Sequence, residues 1–148
     1  METPFADERR LVQPDPSAFV ADPELIHALL ARAELVQCNA DRLLFAQNEP
    51  ASGVYILERG TATVTMNSLA GDTIFSIDAP PGSLLGVPAV VGEHPYSLTA
   101  IARAGSRIRF VSCKDFSALV HADPRLSLKM LQLLAAEVRS ARQALNCA

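Results

Sequence analysis

Cysteine is scarce in this sequence and poorly placed for chemistry. Cys38, Cys113 and Cys147 are odd in number, lie far apart and form no CxxC pair. That excludes a disulfide framework and the common zinc spacings, and three reduced thiols fit a cytoplasmic protein. Histidine is equally sparse. His27, His94 and His121 have neither i, i+4 nor HxH spacing, so no metal site is expected, and a cupin-type metalloenzyme is disfavoured with it. There is no GxSxG elbow, and no cysteine has a local context that would lower its pKa. Gly82 and Gly86 lack the Lys-Ser/Thr ending that would make a P-loop. The sequence is therefore not expected to be an enzyme and carries no sign of a cofactor. No apolar run approaches the ~20 residues of a membrane span, and the start METPFADERRLVQ is no signal peptide. Excess positive charge is also missing. Lys plus Arg is 13 against 16 for Asp plus Glu, a net charge of −3, which argues against a nucleic-acid binder.

What is present suits one folded domain. The chain has 148 residues, of which 49% are hydrophobic and 20% charged, enough apolar surface to hold a core without staples. Residues 1–16, with three prolines and many charges, read as a loose arm, and residues 1–19 are set apart on that ground. Asp22-Pro23-Glu24 is a cap followed by a first-turn proline, opening a short helix over 23–33. From Glu34 to Ser112 the texture is that of strands. Leu35, Leu43, Leu44 and Phe45 lie in short β-rich pieces. Gly53–Leu57, Thr61–Met66 and Thr73–Ile77 follow, separated by the turns Glu58-Arg59-Gly60 and Ala70-Gly71-Asp72. Tyr96–Ala102 and Ser106–Ser112 make the last pair. Strands every 8–12 residues with turn signals between them predict a sandwich or barrel. Arg107 and Arg109 share one strand face, read as solvated.

The final third is helical. Lys114–Val120 fits a short helix, and Asp123-Pro124 starts a longer one. Leu131, Leu134, Val138, Ala141 and Leu145 repeat with 3–4–3–4 spacing, an a/d stripe. Such a stripe can pack on the β domain or form a dimer seam. Because the helix follows a domain with its own core, residues 123–148 are expected to be a dimerisation helix behind a roll at 20–122.

These elements carry a specific pattern. Gly53–Ala62 (GVYILERGTA) resembles the β-hairpin of the cyclic nucleotide-binding domain family, the regulatory domain of catabolite-activator-type transcription factors, cyclic-nucleotide-dependent kinases and gated channels. Pro81-Gly82-Ser83-Leu84-Leu85-Gly86 is similar to the family's PGDxFG turn, and the stretch ending Tyr96-Ser97-Leu98-Thr99-Ala100 falls where the family has its phosphate-binding cassette. The resemblance covers about residues 20–146. It implies an antiparallel, jelly-roll-like β-roll with an N-terminal helix and C-terminal helices. It also implies a ligand pocket formed by Gly86, Val87, Ala89, Tyr96, Ser97 and Thr99, with Arg142 reaching in from the last helix. In the family a Glu after the glycine binds the ribose hydroxyl and an Arg pairs with the phosphate. Here those positions hold Val87 and Tyr96, while Ser97 and Thr99 match. A charge-assisted Arg–phosphate pair contributes on the order of 1.5–3 kcal/mol, so weak or no binding of cyclic AMP or cyclic GMP is expected. A different small ligand, or an empty pocket in a domain kept for partner contacts, remains open. The family's transcription factors continue into a helix-turn-helix, which these residues do not contain, so no DNA binding is expected from them.

Overall fold

The computed structural model describes residues 13–147. Eight antiparallel strands form two four-stranded sheets. The first sheet has the order β1 (Glu34–Val36), β8 (Arg107–Ser112), β3 (Gly53–Arg59), β6 (Leu84–Leu85). The second has the order β2 (Arg42–Phe45), β7 (Thr99–Ala102), β4 (Ala62–Asn67), β5 (Thr73–Ala79). The helices are α1 (Pro23–Leu30), α2 (Val87–Gly92), α3 (Cys113–Ala122) and α4 (Pro124–Cys147). This is the β-roll with flanking helices that the resemblance implies.

Two cores explain the strand texture. Leu44, Phe45, Leu57, Val64, Ile77, Leu85 and Ile108 fill the space between the sheets. Val54, Ile56, Leu84, Val87 and Val111 pack instead against Leu25, Leu29, Phe116, Val120, Leu126, Met130 and Leu133 of the helices. β3 therefore buries both faces, which is why Val54 to Leu57 reads as an unbroken apolar run rather than an alternation. β4 covers only one core, and its threonines alternate with Ala62, Val64 and Met66. Strand register is set by pairs such as Tyr55 opposite Phe110, whose ring centroids lie 4.9 Å apart.

Several expectations change. α1 stops at Leu30, where Arg32 N–H turns back to Leu29 O. The strand expected from Tyr96 begins only at Thr99, because Tyr96 bonds to the Asn48-Glu49 loop instead of the ladder: its N–H donates to Glu49 O at 2.9 Å and its carbonyl accepts from Asn48 N at 2.7 Å. Arg107 and Arg109 are not simply solvated. Their Nε atoms meet Glu58 Oε1 at 3.1 and 2.7 Å. Burial alone would raise the Glu58 pKa, but the two guanidinium groups outweigh it and lower it.

The arm assigned to residues 1–19 is only partly outside the fold. Residues 1–12 lie beyond the described residues. Pro16–Phe19, however, form a 3-10 turn capped by Asp15, with Ala18 and Phe19 buried. Phe19 joins the inter-sheet core, and the Asp15 N–H donates to Ser140 Oγ of α4 at 2.6 Å. An aromatic ring and a long-range hydrogen bond hold this stretch down, and composition alone does not reveal either.

Candidate functional site

The site is built where β6 passes the chain to α2. Leu85 faces the inter-sheet core, and Gly86 then turns the backbone with φ +95°. A Cβ at Gly86 would meet Tyr96 Cε1 at 3.0 Å and Gly53 O at 3.2 Å, so both conformation and space demand glycine. α2 begins at once, with Pro88 in its first turn, where a proline is tolerated but one amide donor is lost.

Tyr96 fills the space in front of Gly86. Its ring stacks on Phe45, centroids 4.0 Å apart and planes 18° from parallel, and the residue is only 2% exposed. The hydroxyl donates to Gly53 O at 2.6 Å and accepts from Ser52 N and Gly53 N, both at 3.1 Å. A phenol has one hydrogen and two lone pairs. All three are used within the protein.

Glu137 lies on the opposite wall. Leu126, Met130, Leu133 and Ser140 are the buried positions of α4, and their 4–3–7 spacing puts Glu137 on the same inward face. Its Oε2 is enclosed and has no hydrogen-bond partner. Burial pushes its pKa up to about 7, since a charge removed from water resists forming. The cavity left between Tyr96, Phe45, Phe19, Ser97 and Glu137 measures about 20 Å³. One water needs roughly 10–15 Å³. A second, open hollow of about 960 Å³ lies on the other side of α2, floored by Phe116, Val120 and Met130 with His94 and His121 at its rim. Among the described residues no group of three His, Cys, Asp or Glu could hold a metal.

A family model described as "Cyclic nucleotide-binding domain" matches residues 35–123. The chain belongs to that family. Solved structures agree on the fold. The catabolite activator protein of Thermus thermophilus superposes with a TM-score of 0.73 at 21% identity, over 89% of this chain and 62% of that one. The present chain thus spans under two-thirds of that protein. A transcriptional regulator from Thermotoga maritima gives a TM-score of 0.68 at 21% identity, over 81% and 94% of the two chains. The sensor domain of the transcriptional regulator DNR from Pseudomonas aeruginosa gives 0.62 at 22% identity, over 82% of each. No curated protein matches.

Within this family fold, the residues implied by the resemblance divide. Gly86, Ala89, Tyr96 and Ser97 come together around the small cavity. Val87 does not: it is fully buried and faces the helical core beside Leu84. Thr99 is also elsewhere, its Oγ1 accepting from Gln47 N at 2.9 Å in β7. Arg142 is exposed on α4. It follows Glu137 by five residues, about 140° around the helix, so it turns away from the roll when Glu137 turns in. Tyr96 lines the cavity but offers a ligand no free hydroxyl valence. Sequence reasoning missed Glu137 altogether. The available signal was one acidic residue on the face shared by Leu126, Met130 and Leu133.

The a/d stripe shifts as well. Leu131, Val138 and Leu145 are 56%, 49% and 75% exposed, and Leu128 is 56% exposed. Leu134, expected in the seam, instead packs on the helical core. The outward face therefore runs Leu128, Leu131, Ala135, Val138, Arg142, Leu145. No helix among the described residues is long and apolar enough to cross a membrane.

Proposed function

We propose that this chain is a ligand-sensing regulatory module, not an enzyme, in which α4 reports the state of the roll's pocket, and that cyclic AMP and cyclic GMP bind it weakly or not at all. The observation that carries the weak binding of cyclic nucleotides is the Tyr96 plug. Its ring takes the space at Gly86, and its hydroxyl is saturated by Ser52 and Gly53. A cyclic nucleotide would have to displace the ring, break three hydrogen bonds and find no Arg for its phosphate among the described lining residues. Val87, buried in the helical core, offers nothing to a ribose. Titration calorimetry of the natural protein with cyclic AMP and cyclic GMP tests the reading. No saturable heat is expected below high-micromolar ligand, and low-micromolar binding would overturn it.

The module pairs through α4. The support is the exposed heptad face from Leu128 to Leu145, because one helix that buries Leu126, Met130 and Leu133 inward still leaves four large apolar side chains in water. A second copy presenting the same face buries both. Sedimentation of the natural protein and of a Leu131→Lys, Val138→Lys double variant tests this. A dimer that becomes a monomer is expected, and a natural protein that is monomeric at high micromolar concentration sinks the pairing. The plug also favours a second reading, a ligand-free interaction module that uses only this α4 face. The free thiols Cys38 and Cys113 fit a reducing cytoplasm.

A further inference from the structure

The electrostatic sign of the pocket is the reverse of what an anionic ligand needs. Among the described residues the lining of the small cavity contains no Lys, Arg or His, and its ionisable side chains are Tyr96 and Glu137. The Tyr96 hydroxyl is fully engaged. Glu137 Oε2 is enclosed and unpartnered, and a buried acceptor without a donor is costly to keep. Three aromatic side chains, Phe19, Phe45 and Tyr96, line the same space. Aromatic faces attract positive charge and repel negative charge. Ser97 and Pro88 also line it and are exposed, so the cavity lies close to the surface at the start of α2.

We propose that Glu137 and its aromatic surroundings form a binding site for a small organic cation, an ammonium-type head group that donates a hydrogen bond to Oε2. The site rests on the sensor reading above, since the same helix that carries Glu137 is the one that reports occupancy. At about 20 Å³ the space admits a head group little larger than a water. A substituted head group presses on Glu137 and so on α4, while the rest of the ligand lies outside past Ser97. The burial that pushes the Glu137 pKa to about 7 gives the site its selectivity. A cation is bound by the ionised form and draws the proton off, whereas an anion meets a carboxylate it repels.

The test uses methylammonium chloride as the probe, with sodium chloride at equal ionic strength as the control. Carbon NMR of the Glu137 carboxyl follows binding, and amide hydrogen exchange in α4 follows the helix. Methylammonium is expected to lower the Glu137 titration midpoint, by about one pH unit at ten times its dissociation constant for the ionised form. It should also raise the melting temperature at pH 8 in the natural protein and not in Glu137→Gln, an isosteric change that removes a buried charge and leaves the fold intact. The same melting response in both proteins, or no midpoint shift, overturns the site and leaves a water as the occupant. A Glu137-dependent shift with unchanged exchange in α4 keeps the site and overturns the sensor reading. A change in exchange that survives Glu137→Gln keeps the sensor reading and overturns the site.

Discussion

The two halves of α4 are held to the rest of the protein by different forces. The first half is anchored. Leu126, Met130 and Leu133 enter the helical core, Lys129 Nζ meets Asp22 Oδ2 at 3.0 Å, and Arg125 meets Glu24 at 2.8 Å. The second half has no inward leucine. It rests on Glu137, whose Oε2 lacks a partner, and on Ser140, which accepts from the Asp15 N–H. Apolar burial does not depend on solution conditions in the physiological range, but a buried carboxyl does. One continuous helix therefore combines an end fixed by apolar burial with an end that rests on a buried, ionisable carboxyl.

The largest effect should come from the anchored half. Leu133→Ala empties a site that is 4% exposed and is expected to cost about 2–4 kcal/mol of unfolding free energy. Urea titration monitored by circular dichroism measures it. A loss below about 1 kcal/mol would mean that the first half is not the anchor.

The next effect belongs to Glu137→Gln and has a distinct pH signature. The folded pKa lies at about 7 and the unfolded reference is 4.5. Below pH 4.5 the carboxyl is protonated in both states and the substitution changes little. As pH rises from 4.5 through 7, the unfolded chain ionises first and the natural protein loses stability. Above 7 the difference is constant and favours the Glu137→Gln protein by on the order of 3–4 kcal/mol, because each pH unit between the folded and unfolded values corresponds to about 1.4 kcal/mol. Thermal melts of both proteins at pH 4 and pH 8 decide it. Equal differences at both pH values would remove Glu137 as the titrating group and leave the two halves alike.

The sequence made the architecture legible because its signals are local. Asp22-Pro23 and Asp123-Pro124 mark two helix starts, and the structure begins α1 and α4 at those prolines. Turn residues separate β3, β4 and β5 in the same way. The site was less legible because its decisive contacts are not local. Nothing near Tyr96 in the sequence indicates that its hydroxyl closes on Ser52 and Gly53, more than 40 residues away. Val87 aligns with a ligand-binding position, yet the direction of its side chain depends on how α2 leaves β6. The stripe on α4 was legible only in part for a related reason. Leu131, Val138 and Leu145 follow from heptad arithmetic, but Leu134 could be assigned to the inner face only once the roll beside it was known.

Asp123 alone separates α3 from α4, in an extended conformation with φ −133° and ψ 108°. It is a single-residue joint, a place where a pivot would have a long arm beyond it. The 24 residues of α4 make a rod about 36 Å long, so a rotation of about 10° at the pivot carries the far end through about 6 Å. In such a swing Leu126, about 4 Å from the pivot, moves by less than about 1 Å, and Leu133, about 15 Å out, by about 2–3 Å. The Glu137 seat, about halfway along, needs to lift by only about 3 Å. A swing of that size would turn a change the size of one water at Glu137 into one larger than a helical turn at the far end.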